Sequence, residues 1–196
     1  MTKRAPPQRI CVFCGARDGT SPAYVAAARA FGTLVAARGL GLVTGGGALG
    51  LMGVVTDAAL AGGAEVIGVI PGSLVEREVA HARLSQRIVV RDMFERKGTM
   101  MELAGAFVAL PGGMGTLDEL SEVLTWTQLG LLAKPCGLVN VNDYWSPLLA
   151  MLDRAVAEGF LAPEHRALLH VETDAARLLD RFDAWQPPRA LAGTRA

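Results

Sequence analysis

With 196 residues, 51% of them apolar, the chain is long enough to bury the core of one domain. Its 19 lysines and arginines balance 19 aspartates and glutamates, so total charge suggests neither a nucleic-acid polymer nor a membrane surface as partner. No apolar run approaches the roughly 18 to 20 residues that span a bilayer. The apolar patch at 10–13 is too short for a signal-peptide core, so a cytoplasmic protein is expected.

Short β-like runs alternate with longer helical ones. The first strand is expected at 10–13, followed by a polar loop and a helix at about 22–38. A second strand at 41–44 leads through Gly45-Gly46-Gly47 into a helix around 51–61. The third strand, 65–70, stops at Pro71-Gly72, and a fourth at 88–90 precedes a helix at 92–104. The fifth, 107–110, stops at Pro111-Gly112-Gly113, and a helix follows from 117 to about 129. A strand near 137–141 and helices at 147–158 and 175–185 complete the pattern. Continuously apolar strands such as VIGVI and FVAL suit a parallel sheet covered on both faces. The expectation is therefore an α/β, Rossmann-like, doubly wound parallel sheet in three α-β-α layers. It forms a single domain over 9–185, with loose chain at 1–8 and 186–196. Ligands of such sheets bind beyond the carboxyl ends of the strands, which directs attention to the loops after strands two, three and five.

Gly45, Gly47 and Gly50 satisfy G-x-G-x-x-G between strand and helix. The motif follows the second strand, however, and the next strand ends in Ile70-Pro71-Gly72 without the ribose-binding acid of a dinucleotide site. A tight turn is the better reading, with bare backbone at Gly46 and Gly47 approaching a ligand or a neighbouring loop. The second glycine loop carries more information. Gly112, Gly113 and Gly115, with Thr116, expose backbone N–H groups at a helix start, where the positive end of the dipole favours a phosphate. Thr116-x-x-Glu119 also reads as a capping box. A carboxylate facing the phosphate would repel it, so Glu119 is expected to address another part of the same ligand.

Cys11 and Cys14 form a C-x-x-C pair, but without a second pair or a nearby histidine they read as reduced structural thiols, as does Cys136. His81, His165 and His170 show no metal-ligand spacing, and no G-x-S-x-G elbow is present for a serine hydrolase. Asp92-x-x-Glu95 opens the helix that carries Arg96 and Lys97 in its second turn. In a chain with only three lysines that pair is either an anion site or a solvated helix face.

The run DMFERKGTMMELAGAFVALPGGMGTLDEL resembles the signature of the LOG (Lonely Guy) family, the cytokinin riboside 5′-monophosphate phosphoribohydrolases. The P-G-G-x-G-T-x-x-E loop matches in full at 111–119, and the likeness runs from the FCG after the first strand, through TGGG, to about Glu158. The family's histidine after D-M is Phe94 here. The resemblance implies hydrolysis of N6-substituted adenosine 5′-monophosphates to free base and ribose 5-phosphate, with no metal or cofactor, by a homodimer with sites near its interface. By motif position it makes Arg96 and Glu119 the catalytic pair. It makes Glu78, Lys97 and Thr125 substrate contacts, together with Gly113, Met114, Gly115, Thr116, Leu117 and Asp118 of the loop. The lysine decarboxylase label often given to this family would need pyridoxal phosphate and a Schiff-base lysine, for which Lys97 is the sole suggestive candidate; its neighbour Arg96 fits phosphate better. Two alternatives remain: a broader nucleosidase acting on AMP, for which an apolar base pocket of Met114, Trp126 or Leu129 is not required, and a non-catalytic nucleotide carrier of similar fold.

Overall fold

A computed structural model describes residues 8–75 and 80–187. The expected terminal segments fall almost wholly outside these residues, as does Glu78. Seven strands form one sheet: β1 Arg9–Phe13, β2 Gly41–Thr44, β3 Val66–Pro71, β4 Gln86–Val90, β5 Ala106–Ala109, β6 Cys136–Val139 and β7 Leu169–Glu172. Every neighbouring pair is parallel, in the order β4-β3-β2-β1-β5-β6-β7. The helices are α1 Pro22–Ala37, α2 Gly50–Ala61, α3 Met93–Leu103, α4 Met114–Gln128, α5 Ser146–Ala157, α6 Pro163–Arg166 and α7 Ala175–Asp183.

Alternation along β1 decides which helices cover which face. Ile10, Val12 and Cys14 pack with Phe31 of α1, Val55 of α2 and Leu178 of α7. Cys11 and Phe13 pack on the other side with Met100 of α3, Leu120 of α4 and Trp145 ahead of α5. The central strands β1, β2, β3 and β5 are buried almost throughout, as a sheet sandwiched between helical layers requires. The three-layer expectation holds. The two C-x-x-C cysteines, three residues apart on an extended chain, accordingly face opposite layers.

Three features differ from the sequence reading. The seventh strand and the short α6 were not expected, because LHVE is an edge strand with a single buried residue, Leu169, and carries no continuous apolar run. Helix α4 begins at Met114 rather than Leu117, with Gly113 as its cap. The capping box expected from Thr116 and Glu119 therefore does not form: Thr116 already lies inside the first turn, and no side chain caps the helix.

Candidate functional site

The chain leaves β1 toward α1 on one face and leaves β5 toward α4 on the other. Because β1 and β5 are neighbours, their outgoing loops diverge and open a crevice at the point where strand order reverses. The crevice holds about 480 Å³ and is walled by the β1–α1 loop, the Pro111-Gly112-Gly113 turn, Gly115 and Thr116 of α4, and Tyr24 and Tyr144. Arg96 and Glu119 also line it. The Gly15 N–H donates to the Pro111 carbonyl at 3.0 Å, tying the two loops together at their base. Gly50, at φ 59°, lies so close to Ala16 and Arg17 that any side chain would collide with their backbone. The motif that resembled a dinucleotide loop is thus used for approach to a neighbouring loop.

Among the described residues, beyond chain neighbours and the helix's own backbone, nothing lies within 4 Å of the position a Cβ would take on Gly113 or Gly115. These glycines are not small for the sake of packing; they leave the backbone of the crevice wall bare. With no side-chain cap on α4, the N–H groups of its first turn remain available, at the end of the helix that attracts anions.

Asp92 caps α3 through Oδ1, which accepts the Glu95 N–H at 2.9 Å, while Glu95 itself reaches back to the Arg91 N–H at 2.8 Å. One turn on, Arg96 points inward and is 6% exposed. Its Nε donates to the Val69 carbonyl at 3.2 Å and Nη2 to the Gly45 carbonyl at 3.5 Å. Nη2 also stands 3.8 Å from Oε1 of Glu119, which is 9% exposed. Burying two charges is a poor route to stability, because desolvation offsets most of their attraction. A carboxylate and a guanidinium that line one crevice together with an anion-attracting helix terminus suit a ligand that is anionic at one end and reactive at another. The thiols nearby are held in the protonated form: burial, followed by the charge of Glu119, raises the pKa of both Cys11 and Cys14, and burial pushes Cys136 up to about 12.

The expected Arg-Lys pair divides. Lys97 is turned away from Arg96 and pairs with Asp118 at 3.1 Å and Glu122 at 2.9 Å across α3 and α4. Burial, the largest single influence, lowers its pKa, but the hydrogen bonds to Glu122 and Asp118 outweigh it and the net shift is upward. Met114, Asp118, Glu122, Thr125 and Leu129 recur at helical spacing along one stripe of α4, and four of them are exposed there; only Glu122 is half-buried. The Thr125 hydroxyl is used on the Ser121 carbonyl, at 2.7 Å. Gly112, Gly113, Gly115 and Thr116 therefore sit in the crevice with Arg96 and Glu119, whereas Lys97, Met114, Leu117, Asp118 and Thr125 are not among its lining residues. Gly46 and Gly47 are buried beneath it: the Gly46 carbonyl accepts from the His81 N–H at 2.9 Å, and Gly47 N–H lies 3.2 Å from Sδ of Met52. Sequence reasoning missed the β1–α1 loop with Arg17, and the two tyrosines.

Comparison with known proteins bears on the family and the fold. A family described as "Possible lysine decarboxylase" matches residues 52–182. A cytokinin riboside 5′-monophosphate phosphoribohydrolase of Arabidopsis thaliana, LOG7, is 45% identical over 180 residues, 92% of this chain and 83% of that one. A probable enzyme of the same name from Oryza sativa subsp. japonica, LOGL9, is 47% identical over 92% of this chain and 79% of its own length. Among solved structures, a molybdenum cofactor binding protein from Rippkaea orientalis superposes with a TM-score of 0.69 at 21% identity, covering 93% of this chain and 98% of that one, a likeness of fold. Fold and crevice together define a Rossmann-like protein with a glycine-walled crevice at the switch point of its sheet. The chain belongs to the LOG family of phosphoribohydrolases, the family whose model carries the decarboxylase description. Pyridoxal phosphate does not fit the residues present: among the described residues no lysine lines the crevice, Lys97 is held as an ammonium by two carboxylates, and Lys134 caps α3 by donating to the Met101 carbonyl at 2.6 Å.

Proposed function

We propose that the protein hydrolyses the N-glycosidic bond of N6-substituted adenosine 5′-monophosphates, releasing free base and ribose 5-phosphate. The observation that carries the reading is the buried Arg96–Glu119 pair at 3.8 Å, lining the same crevice as the uncapped start of α4. The 5′-phosphate takes the N–H groups of the first turn of α4, and the ribose then lies toward Glu119. Water oxygen bonds to C1′ as the C1′–N9 bond breaks; the bond's electron pair leaves with the base, which takes up a proton. Glu119 faces the positive charge that develops on the ribose ring and accepts the water's proton. Arg96 holds that carboxylate in place. The roughly 45% identity to phosphoribohydrolases over nine-tenths of the chain supports this chemistry, and the Arg96–Glu119 pair, for which a carrier has no use, argues against the carrier alternative.

The same reading makes the working unit a cytoplasmic homodimer. Lys97, Asp118 and Thr125 lie outside the crevice of their own chain, on a surface that also bears Phe94 (82% exposed), Met114 (81%) and Leu129 (63%). A second copy seated there would bring these side chains toward a substrate and cover the apolar ones. Sedimentation of the wild type beside Met114→Asp tests this, the dimer being expected only for the former.

Purified wild type and Glu119→Gln are incubated with N6-isopentenyl-AMP, AMP and the dephosphorylated N6-isopentenyl riboside, and the products separated by chromatography. Free base from the prenylated monophosphate, little from the riboside, and a loss on the order of 100-fold or more in the variant are expected. Equal turnover of AMP would make the enzyme a general nucleotide nucleosidase, and no base from any of the three would overturn the hydrolase reading.

A further inference from the structure

The β6–α5 connection holds the only non-glycine residues with positive φ among those described, Asn142 at 50° and Asp143 at 56°. Two consecutive left-handed residues persist only where their surroundings enforce them. The enforcement is visible. The Asn140 side chain accepts the Trp145 N–H at 2.7 Å and donates to Oγ of Ser146 at 3.2 Å; Ser146 Oγ in turn donates to Asp143 at 3.3 Å. Asn142 donates to Oγ of Ser21, ahead of α1, at 3.3 Å, and Trp145 is sunk into the core. The product of this turn is the placement of Tyr144. Its ring meets Trp145 edge-on at 4.9 Å and Tyr24 at 5.8 Å, and its hydroxyl donates to the Gly112 carbonyl.

That acceptor belongs to the glycine loop. A loop with glycine at 112, 113 and 115 has much backbone freedom, and nothing packs on Gly113 or Gly115 to limit it. Two successive carbonyls are nonetheless pinned from opposite walls, Pro111 by the Gly15 N–H and Gly112 by Tyr144. Because a peptide unit is planar, fixing the Gly112 carbonyl also fixes the direction of the Gly113 N–H. We propose that Tyr144 is a positioning residue, whose hydroxyl holds the glycine loop in its anion-receiving shape, and that the strained Asn142–Asp143 turn exists to deliver it. The proposal rests on the reading that this loop receives the 5′-phosphate.

Tyr144→Phe removes the hydroxyl and keeps the ring contacts. Calorimetry with ribose 5-phosphate, and turnover of N6-isopentenyl-AMP and its dephosphorylated riboside, are compared in wild type and variant. One hydrogen bond's worth of order predicts a roughly 3- to 10-fold rise in Kd for ribose 5-phosphate and in KM for the monophosphate. Melting temperature falls by no more than about 4 °C, and any activity on the riboside stays as in wild type. Backbone ¹⁵N order parameters at Gly112, Gly113 and Gly115 fall in the variant, a readout that needs no ligand. Unchanged order parameters, or an equal penalty on the riboside, would overturn the positioning role. Failure of wild type to bind ribose 5-phosphate would instead sink the phosphate reading, with the order parameters still deciding whether Tyr144 holds the loop.

Discussion

The guanidinium of Arg96 occupies the space that a side chain on residue 45 would fill: a Cβ built on Gly45 overlaps Nη2. The first glycine after β2 is therefore bare for the sake of Arg96, which also donates to its carbonyl. Two motifs 51 residues apart, TGGG and the Arg-Lys pair, are one device.

Gly45→Ala tests this directly. The obstructing atom is the far end of a flexible side chain, so the fold accommodates the methyl by displacing Arg96 rather than by moving backbone. Turnover should fall by about 10-fold or more, since reacting groups displaced by an ångström lose that much. Melting temperature should change by no more than about 3 °C. A variant with wild-type turnover would show that Arg96 does not act from this seat.

The cysteines give a second expectation. Thiolate is the reactive form, and burial raises the pKa of all three, with Glu119 adding to the rise at Cys11 and Cys14. Iodoacetamide at pH 8 should leave the folded protein unmodified although Cys14 lines the crevice, and should label all three sites in urea; mass spectrometry reads both. Rapid labelling of Cys14 in the folded protein would contradict the burial argument.

How far the chain declares its own site can be read from particular residues. The three-layer sheet was legible because β3 and β5 are uninterrupted apolar runs, a pattern that few other architectures tolerate. The pairing of Arg96 with Glu119 was legible through motif resemblance, and the bare wall at Gly113 and Gly115 through helix-terminus chemistry. Strand order was not. Nothing local places β1 beside β5, so the β1–α1 loop was overlooked although it forms one wall of the crevice. Tyr144 stayed hidden for the same reason, since its partner Gly112 is 32 residues away. Adjacent positions also misled: Arg96 and Lys97 differ by about 100° around a helix, which sends one into the crevice and the other to Asp118 and Glu122.

Acid should destabilise the fold through His170. Its ring lies against Phe182 at 6.0 Å, Nε2 has no hydrogen-bond partner among the described residues, and burial, helped by Arg181 and opposed by Glu172, lowers its pKa from 6.5. The unfolded chain then takes up the proton first as pH falls. The stability tied to the neutral ring is complete above pH 6.5 and is lost as pH drops through the lower folded-state value. Melting temperatures measured between pH 7.5 and 5 should fall more steeply for wild type than for His170→Leu. Parallel slopes would mean that His170 titrates as it does in the unfolded chain.

Arg17 is the cation of the crevice that the protein leaves unspent. Arg96 faces Glu119 and Lys97 is neutralised, whereas among the described residues Arg17 has neither hydrogen bond nor ion pair, with Asp18 beside it on the same wall. Its backbone is fixed by the close approach of Gly50, so the side chain stands over the crevice from a rigid base. If the substrate enters as a phosphate dianion, Arg17 meets it at the rim. Because the group is exposed, the contact is worth less than a buried charge-assisted bond, and Arg17→Ala should raise KM for the monophosphate by roughly 3- to 10-fold with kcat little changed. Arg17→Lys should recover part of the loss, and the difference between wild type and Arg17→Ala should shrink as salt rises from 0.05 to 0.5 M. A rise in KM of the same size for the dephosphorylated riboside would show that Arg17 serves the shape of the crevice instead of the charge of its ligand.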